Sequence, residues 1–282
     1  MAEPARNLPP REDDELDDEE SGPPTFLRWV ERPDGRLELL ELPLTPEVFL
    51  DPQLEDQMTQ GPKHSEATTD LASSIRDFLL SKRDDILVLS DVKHMLGIPG
   101  LPNPAPDVSV IYGIRDSPDL DDAESFDLRK QKARPSFVLE VVSPKSRKIR
   151  EADEVDKVEI YRKVGIPEYF LVDTARRKNG FRCNVKGYRL DSRGRYQPVL
   201  PDSEGRLLSE QTGLWFTVSP NGRRVVLVDA ATGEAILPRR EERAAREAEA
   251  RRADREAEAR KAAEAEIARL REQLDQLNRR SG

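Results

Sequence analysis

Glu140 interrupts an apolar run. Residues 136–143 read Ser-Phe-Val-Leu-Glu-Val-Val-Ser, and Pro135 and Pro144 bound them. So short a run of β-branched and large apolar residues predicts a buried strand. Side chains alternate along a strand, so Glu140 shares its face with Val138 and Val142. An ionised carboxylate buried there costs several kcal/mol unless a cation, a metal or hydrogen-bond donors offset it. Upstream, Pro106-Asp107 opens a second apolar stretch, Val108-Ser109-Val110-Ile111-Tyr112. Downstream, Asp153, Lys157 and Tyr161 recur at i, i+4 and i+8. At 100° per residue these three span about 80° of a helix. Ile160 and Val164 fall close to that arc, which makes it the sheet-facing side.

A lysine on an inward face needs a carboxylate partner. Asp153 offers one locally, and Glu140 lies one strand–helix connection away. Two carboxylates on adjacent strands with a lysine beside them suit metal-assisted phosphodiester cleavage. Mg²⁺ prefers oxygen ligands and keeps several waters. It activates a bound water and offsets charge on the phosphate, and a lysine orients that water or offsets charge in the transition state. A structural reading stands beside this one: Glu140 and Lys157 as an ion pair, Lys157 bound to Asp153 on its own helix, and Asp107 as a strand-start residue. Tyr161 and Tyr169 read as packing residues, and His64 as a helix-start surface residue.

The elements that must position these groups are legible in outline. Residues 37–42 predict a strand after the Asp34-Gly35 turn, residues 63–80 a helix with Ala67, Leu71, Ile75, Phe78 and Leu79 on one stripe, and residues 86–89 a strand. Six prolines and glycines over 97–106 exclude helix and central strand there and deliver the chain into Asp107. The charged stretch 115–134 reads as a surface excursion. A helix over about 150–164, the stop Gly165-Ile166-Pro167, a strand over 168–173 and an antiparallel meander over 181–230 follow, with turns at Ser192-Arg193-Gly194 and Pro220-Asn221-Gly222. The fold class is therefore α/β (α+β), a mixed central sheet flanked by helices.

Pro106-Asp107, then Leu139-Glu140-Val141-Val142-Ser143-Pro144, then Asp153, Lys157 and Tyr161, then Gly165-Ile166-Pro167-Glu168-Tyr169, together resemble the Uma2-like restriction endonuclease domains of the PD-(D/E)XK nuclease superfamily. The resemblance covers roughly residues 37–175. It implies a restriction-endonuclease-like fold and a DNA endonuclease using Mg²⁺, with Mn²⁺ able to substitute. The metal would be held by Asp107, Glu140 and the backbone carbonyl of Val141. The superfamily's lysine is expected two residues after the glutamate, where this chain has Val142; Lys157 on the next helix replaces it in the Uma2-like pattern, and Lys145 is the runner-up. His64 and Glu41 also fall near positions where the family often has His and Glu.

Composition sets the boundaries. The chain has 282 residues and 36% charged residues, enough for one sizeable core with polar appendages. No stretch approaches the roughly 20 apolar residues of a spanning helix, and residues 1–10 lack the pattern of a signal peptide. The single cysteine, Cys183, excludes an intrachain disulfide, and with two histidines it argues against structural zinc. A cytoplasmic protein fits best. Net charge is −9, with an acidic block at 11–20, so the grip on nucleic acid must come from a local cleft rather than from overall charge. Three parts are expected: a disordered acidic tail over 1–24, a folded domain over 25–238 and a charged helical tail over 239–282. In that tail Ile267, Leu270, Leu274 and Leu277 have a/d spacing, a route to a homo-oligomer or a partner helix. The competing function is a non-catalytic interaction protein that keeps the nuclease fold and recruits partners through its tails. Gly-x-Ser-x-Gly elbows, Gly-x-x-x-x-Gly-Lys loops and His-rich metal motifs are absent from the sequence.

Overall fold

The computed structural model describes residues 24–58, 61–114, 124–142, 146–174, 176–177, 180–181 and 183–280. The chain divides into two compact units, Met1–Ile236 and Leu237–Gly282. In chain order the first unit carries β1 (Thr25–Glu31), β2 (Leu37–Pro43), α1 (Pro46–Leu50), β3 (Asp56–Gln57), α2 (Pro62–Leu80), β4 (Ile86–Leu89), β5 (Lys93–Met95), β6 (Val108–Tyr112), β7 (Ser125–Asp127), α3 (Leu128–Gln131) and β8 (Phe137–Val142). Then come α4 (Arg147–Glu151), a π-helical turn (Ala152–Asp156), α5 (Lys157–Val164), β9 (Glu168–Asp173), β10 (Arg176–Arg177), β11 (Gly180–Phe181), β12 (Asn184–Leu190), β13 (Tyr196–Pro198), β14 (Leu207–Ser209), β15 (Leu214–Val218), β16 (Val225–Asp229) and β17 (Ala235–Ile236). The second unit is one helix, α6 (Arg239–Arg280).

The centre is a six-stranded mixed sheet in the order β13-β12-β9-β8-β6-β4. Within this sheet only β8 and β9 pair in parallel, joined by α4, the π turn and α5 as crossover. Both strands are buried along their whole length, as their near-continuous apolar sequence requires. One face packs Phe137, Leu139 and Val141 against Leu71, Ile75, Phe78 and Leu79 of α2 and against Leu214 and Phe216 of a four-stranded sheet, β14-β15-β16-β17. Phe137, Phe170 and Phe216 form a fully buried ring cluster there, each contributing about 2 kcal/mol by removal from water. The other face packs Val138, Val142 and Leu171 against Ile160, Tyr161 and Val164 of α5. Gly165, at φ +78°, closes α5 in the left-handed conformation and turns the chain into β9.

The mixed, helix-flanked sheet is the α+β architecture expected. The stretch 115–134 is described only over 124–134, where most residues are exposed as expected, but Phe126 on β7 is buried among Leu87, Leu89 and Ile111. Phe126 and Leu128 among charges give too short a pattern to set a period. The acidic run lies outside the described residues, as do the side chains of Leu270, Leu274 and Leu277. Along α6, Arg243–Glu247, Arg252–Glu256 and Arg260–Glu264 pair at i,i+4 on an exposed surface. Among the described residues no helix is long and apolar enough to cross a membrane.

Candidate active site

The antiparallel pairing of β6 with β8 matches Val108 to Leu139, so one residue further Asp107 stands opposite Glu140. Asp107 N–H donates to Glu140 Oε2 at 3.4 Å, and Asp107 Oδ2 accepts from Val141 N–H at 2.6 Å. The two carboxylates thus belong to one cross-strand pair. Pro106, which has no N–H to give to a ladder, precedes the start of β6 at Val108. Glu140 faces α5, as its alternation with Val138 and Val142 requires.

The helical side brings the rest. Ser146 caps α4 by accepting from Ile149 N–H at 3.3 Å. The next turn is π-helical, and Lys157 N–H donates five residues back to Ala152 O. Lys157 Nζ lies 3.0 Å from Glu140 Oε2 and 2.9 Å from Asp153 Oδ1. It also stands 4.4 Å from the centre of the Phe49 ring, within cation–π range. Tyr161 donates its hydroxyl to Glu140 Oε1 at 2.7 Å, so both glutamate oxygens are engaged. Asp107, Glu140 and Lys157 expose only 5%, 2% and 3% of their surface.

His64, expected at the surface, is buried. It occupies the first turn of α2, behind Pro62, and its Nε2 lies 2.7 Å from Val141 O. A carbonyl only accepts, so Nε2 carries the hydrogen and donates. The same nitrogen is 3.8 Å from Asp107 Oδ2. Helix α2 therefore fixes the backbone step just after Glu140 from the opposite face of the sheet. Tyr161 and Tyr169, read from sequence as packing residues, do pack together, but both hydroxyls also serve the cluster; Tyr169 donates to Asp153 O at 2.9 Å. Glu41 lies on the exposed hairpin, accepting from Thr25. Lys145 falls outside the described residues.

Electrostatically the cluster is unbalanced. Asp107, Glu140 and Asp153 are three carboxylates about one ammonium, a formal excess of two negative charges when all are ionised. Burial, reinforced by Glu140, pushes Asp107 well above the usual carboxylate range. Burial also raises Glu140, against the pull of Lys157. For Lys157, burial acts downward, but Asp153, Glu140 and Asp107 together outweigh it and hold the ammonium above the ordinary lysine value. Lys157 is therefore a fixed cation at neutral pH rather than a proton acceptor. Such a constellation can bind a hard dication, steady an anionic group, or serve as a structural ion-pair network.

A solved structure from Anabaena variabilis ATCC 29413, described as a putative nuclease belonging to DUF820, is similar over 67% of this chain and 83% of its own, with 15% identity and a TM-score of 0.38. No protein of curated function matches the chain significantly. The family model described as "Uma2: Putative restriction endonuclease" matches residues 23–220, which include every member of the cluster. The chain belongs to the Uma2 family.

Proposed function

We propose that this protein is a Mg²⁺-dependent DNA endonuclease of the PD-(D/E)XK type, hydrolysing phosphodiester bonds at the Asp107–Glu140–Lys157 cluster. The observation that carries this reading is the cross-strand pairing of Asp107 with Glu140, with the Lys157 ammonium 3.0 Å from Glu140 Oε2. The residues fit the metal. Their excess of two negative charges is what a dication neutralises, and two carboxylates with a carbonyl are a donor set that leaves Mg²⁺ its waters. Among the described residues no three His, Cys, Asp or Glu side chains form a ready-made metal cage. Asp107 and Glu140 would hold the ion, with Val141 O as a further ligand through the lone pair that His64 leaves free. Bound Mg²⁺ supplies an activated water and charge stabilisation at phosphate. Lys157 orients the attacking water and offsets charge in the transition state. Asp153 and Tyr161 hold Lys157 and Glu140 in place from the helical side.

One observation favours a second reading, a nuclease-fold interaction protein without catalysis: the three head groups are almost wholly buried and mutually satisfied, as in a structural ion-pair network. A plasmid-cleavage assay with the full chain and Mg²⁺ separates the two. Nicking or linearisation that is lost with EDTA, in Asp107→Asn and in Glu140→Gln supports the nuclease. Cleavage unchanged in both variants rules out the site assignment, and no site-dependent metal binding at millimolar concentration supports the second reading.

A further inference from the structure

The hairpin of β1 and β2 lies outside the cluster and presents an unusual edge. Strand β2 is the edge of the three-stranded sheet β2-β1-β3. The register pairs Trp29 with Leu39, Glu31 with Leu37 and Leu27 with Glu41, so these six side chains share one face. On that face Trp29, Leu37 and Leu39 are 46%, 66% and 39% exposed. The opposite face turns Phe26 into a small core with Leu44 and Ile149.

The edge's backbone direction follows from the two ends of the hairpin. Arg32 N–H donates to Arg36 O and Leu44 N–H to Pro24 O, each at 2.8 Å. Hydrogen-bonded pairs alternate in an antiparallel ladder, so Glu38, Leu40 and Leu42 bond inward to β1. Leu37, Leu39 and Glu41 then aim their N–H and C=O groups outward from the sheet. Edges are commonly blunted by lysine or proline. Here proline stands only at the end of the outward-facing set, at Pro43, and the three positions before it are two leucines and one glutamate.

We propose that β2 pairs with β2 of a second copy of this chain, antiparallel about a two-fold axis through Leu39, to give a continuous sheet across a homodimer. A two-fold normal to the sheet makes one residue oppose itself. Centring on Glu38 or Glu41 sets two glutamates face to face, which is destabilising. Centring on Leu40 sets Leu37 against the partner's Pro43, whose missing N–H leaves the Leu37 carbonyl without a donor. Centring on Leu39 avoids both faults. Leu37 then opposes the partner's Glu41, every outward backbone group of Leu37, Leu39 and Glu41 has a partner, and Trp29 and Leu39 of both copies form one apolar stripe. This contact is independent of α6 and of the proposed chemistry.

The register makes the test specific. Hydrogen-bonded antiparallel pairs have Cα atoms about 5.5 Å apart, inside disulfide range. In a Cys183→Ser background, Leu39→Cys cross-links to a disulfide dimer on mild oxidation, whereas Glu38→Cys stays monomeric on a non-reducing gel. In sedimentation equilibrium of the full chain, Leu39→Lys raises the dimer dissociation constant at least about tenfold, by loss of apolar contact and like-charge repulsion on the axis. Equal cross-linking at positions 38 and 39, none at 39, a dissociation constant unmoved by Leu39→Lys, or a monomer at every concentration would each overturn the proposal.

Discussion

Tyr169 on β9 donates its hydroxyl to the main-chain carbonyl of Asp153 across 2.9 Å, tying the central sheet to the π-helical turn that aims Lys157. Both partners are buried. Tyr169→Phe keeps the ring and leaves that carbonyl with one bond fewer. The expected loss is about 1 kcal/mol in chemical denaturation. Metal-dependent cleavage should slow by roughly tenfold through kcat with KM little changed, because a loosened turn misplaces Lys157 without touching substrate. An unchanged kcat would show that the π turn needs no pin.

Lys157 is the only cation bonded to both Glu140 and Asp153 among the described contacts. Lys157→Met takes the ammonium away from two buried carboxylates and should cost about 3 kcal/mol or more, with cleavage abolished. The double variant Lys157→Met/Asp153→Asn should recover part of the stability and none of the cleavage. A double-mutant cycle by urea unfolding measures this coupling. Additive losses would mean that Asp153 does not share the lysine.

His94 on β5 gives the fold a pH dependence. Burial lowers its pKa from 6.5 to about 4, outweighing its hydrogen bond to Val92 O. The unfolded chain therefore binds this proton first as pH falls. Stability from the neutral ring is complete above about pH 6.5 and is lost on descending toward pH 4, in total about 3 kcal/mol. Asp107 and Glu140, whose pKa values are raised, act in the opposite sense and contribute least at neutral pH. Comparing melting curves of wild type and His94→Phe isolates the histidine: the variant should lose less stability between pH 7 and pH 5. Parallel curves would contradict the assignment.

Glu168 joins the two main sheets. Its buried carboxylate accepts from Ser209 Oγ at 2.6 Å, Glu210 N–H at 3.0 Å, Gln211 N–H at 3.2 Å and Arg189 Nε at 2.8 Å. Glu168→Ala leaves buried donors without an acceptor and should destabilise the protein by about 3 kcal/mol. Amide exchange at Glu210 and Gln211 should quicken well before the β8 amides respond. Equal acceleration in both places would mean the second sheet is not an independent layer.

Much of this was legible before folding because it is local. The Glu140 strand announces itself by an apolar run between prolines, and the Asp153, Lys157, Tyr161 spacing puts three polar groups on an apolar arc. Both appear in the structure, the strand as Phe137–Val142. The π turn was not legible, since Ala-Asp-Glu-Val-Asp has ordinary helix propensity and the shift to a five-residue hydrogen bond answers to packing. His64 was misjudged for a similar reason. A histidine behind a helix-starting proline looks exposed, and only the crossing of α2 over β8 brings it to Val141 O. The hydroxyl bonds of Tyr161 and Tyr169 likewise depend on which elements adjoin, which one-dimensional periodicity does not encode. Phe126 escaped notice because it and Leu128 are too few apolar residues to set a period in a charged stretch, and Glu168 as an acid at a strand start.

The measurement that bears most directly on the central claim is anomalous diffraction from crystals soaked in Mn²⁺. A single strong peak within about 2.5 Å of carboxylate oxygens from both Asp107 and Glu140, absent in Glu140→Gln, is the expected result. Saturating Mn²⁺ with no peak between those carboxylates, or with the same peak in Glu140→Gln, would contradict it.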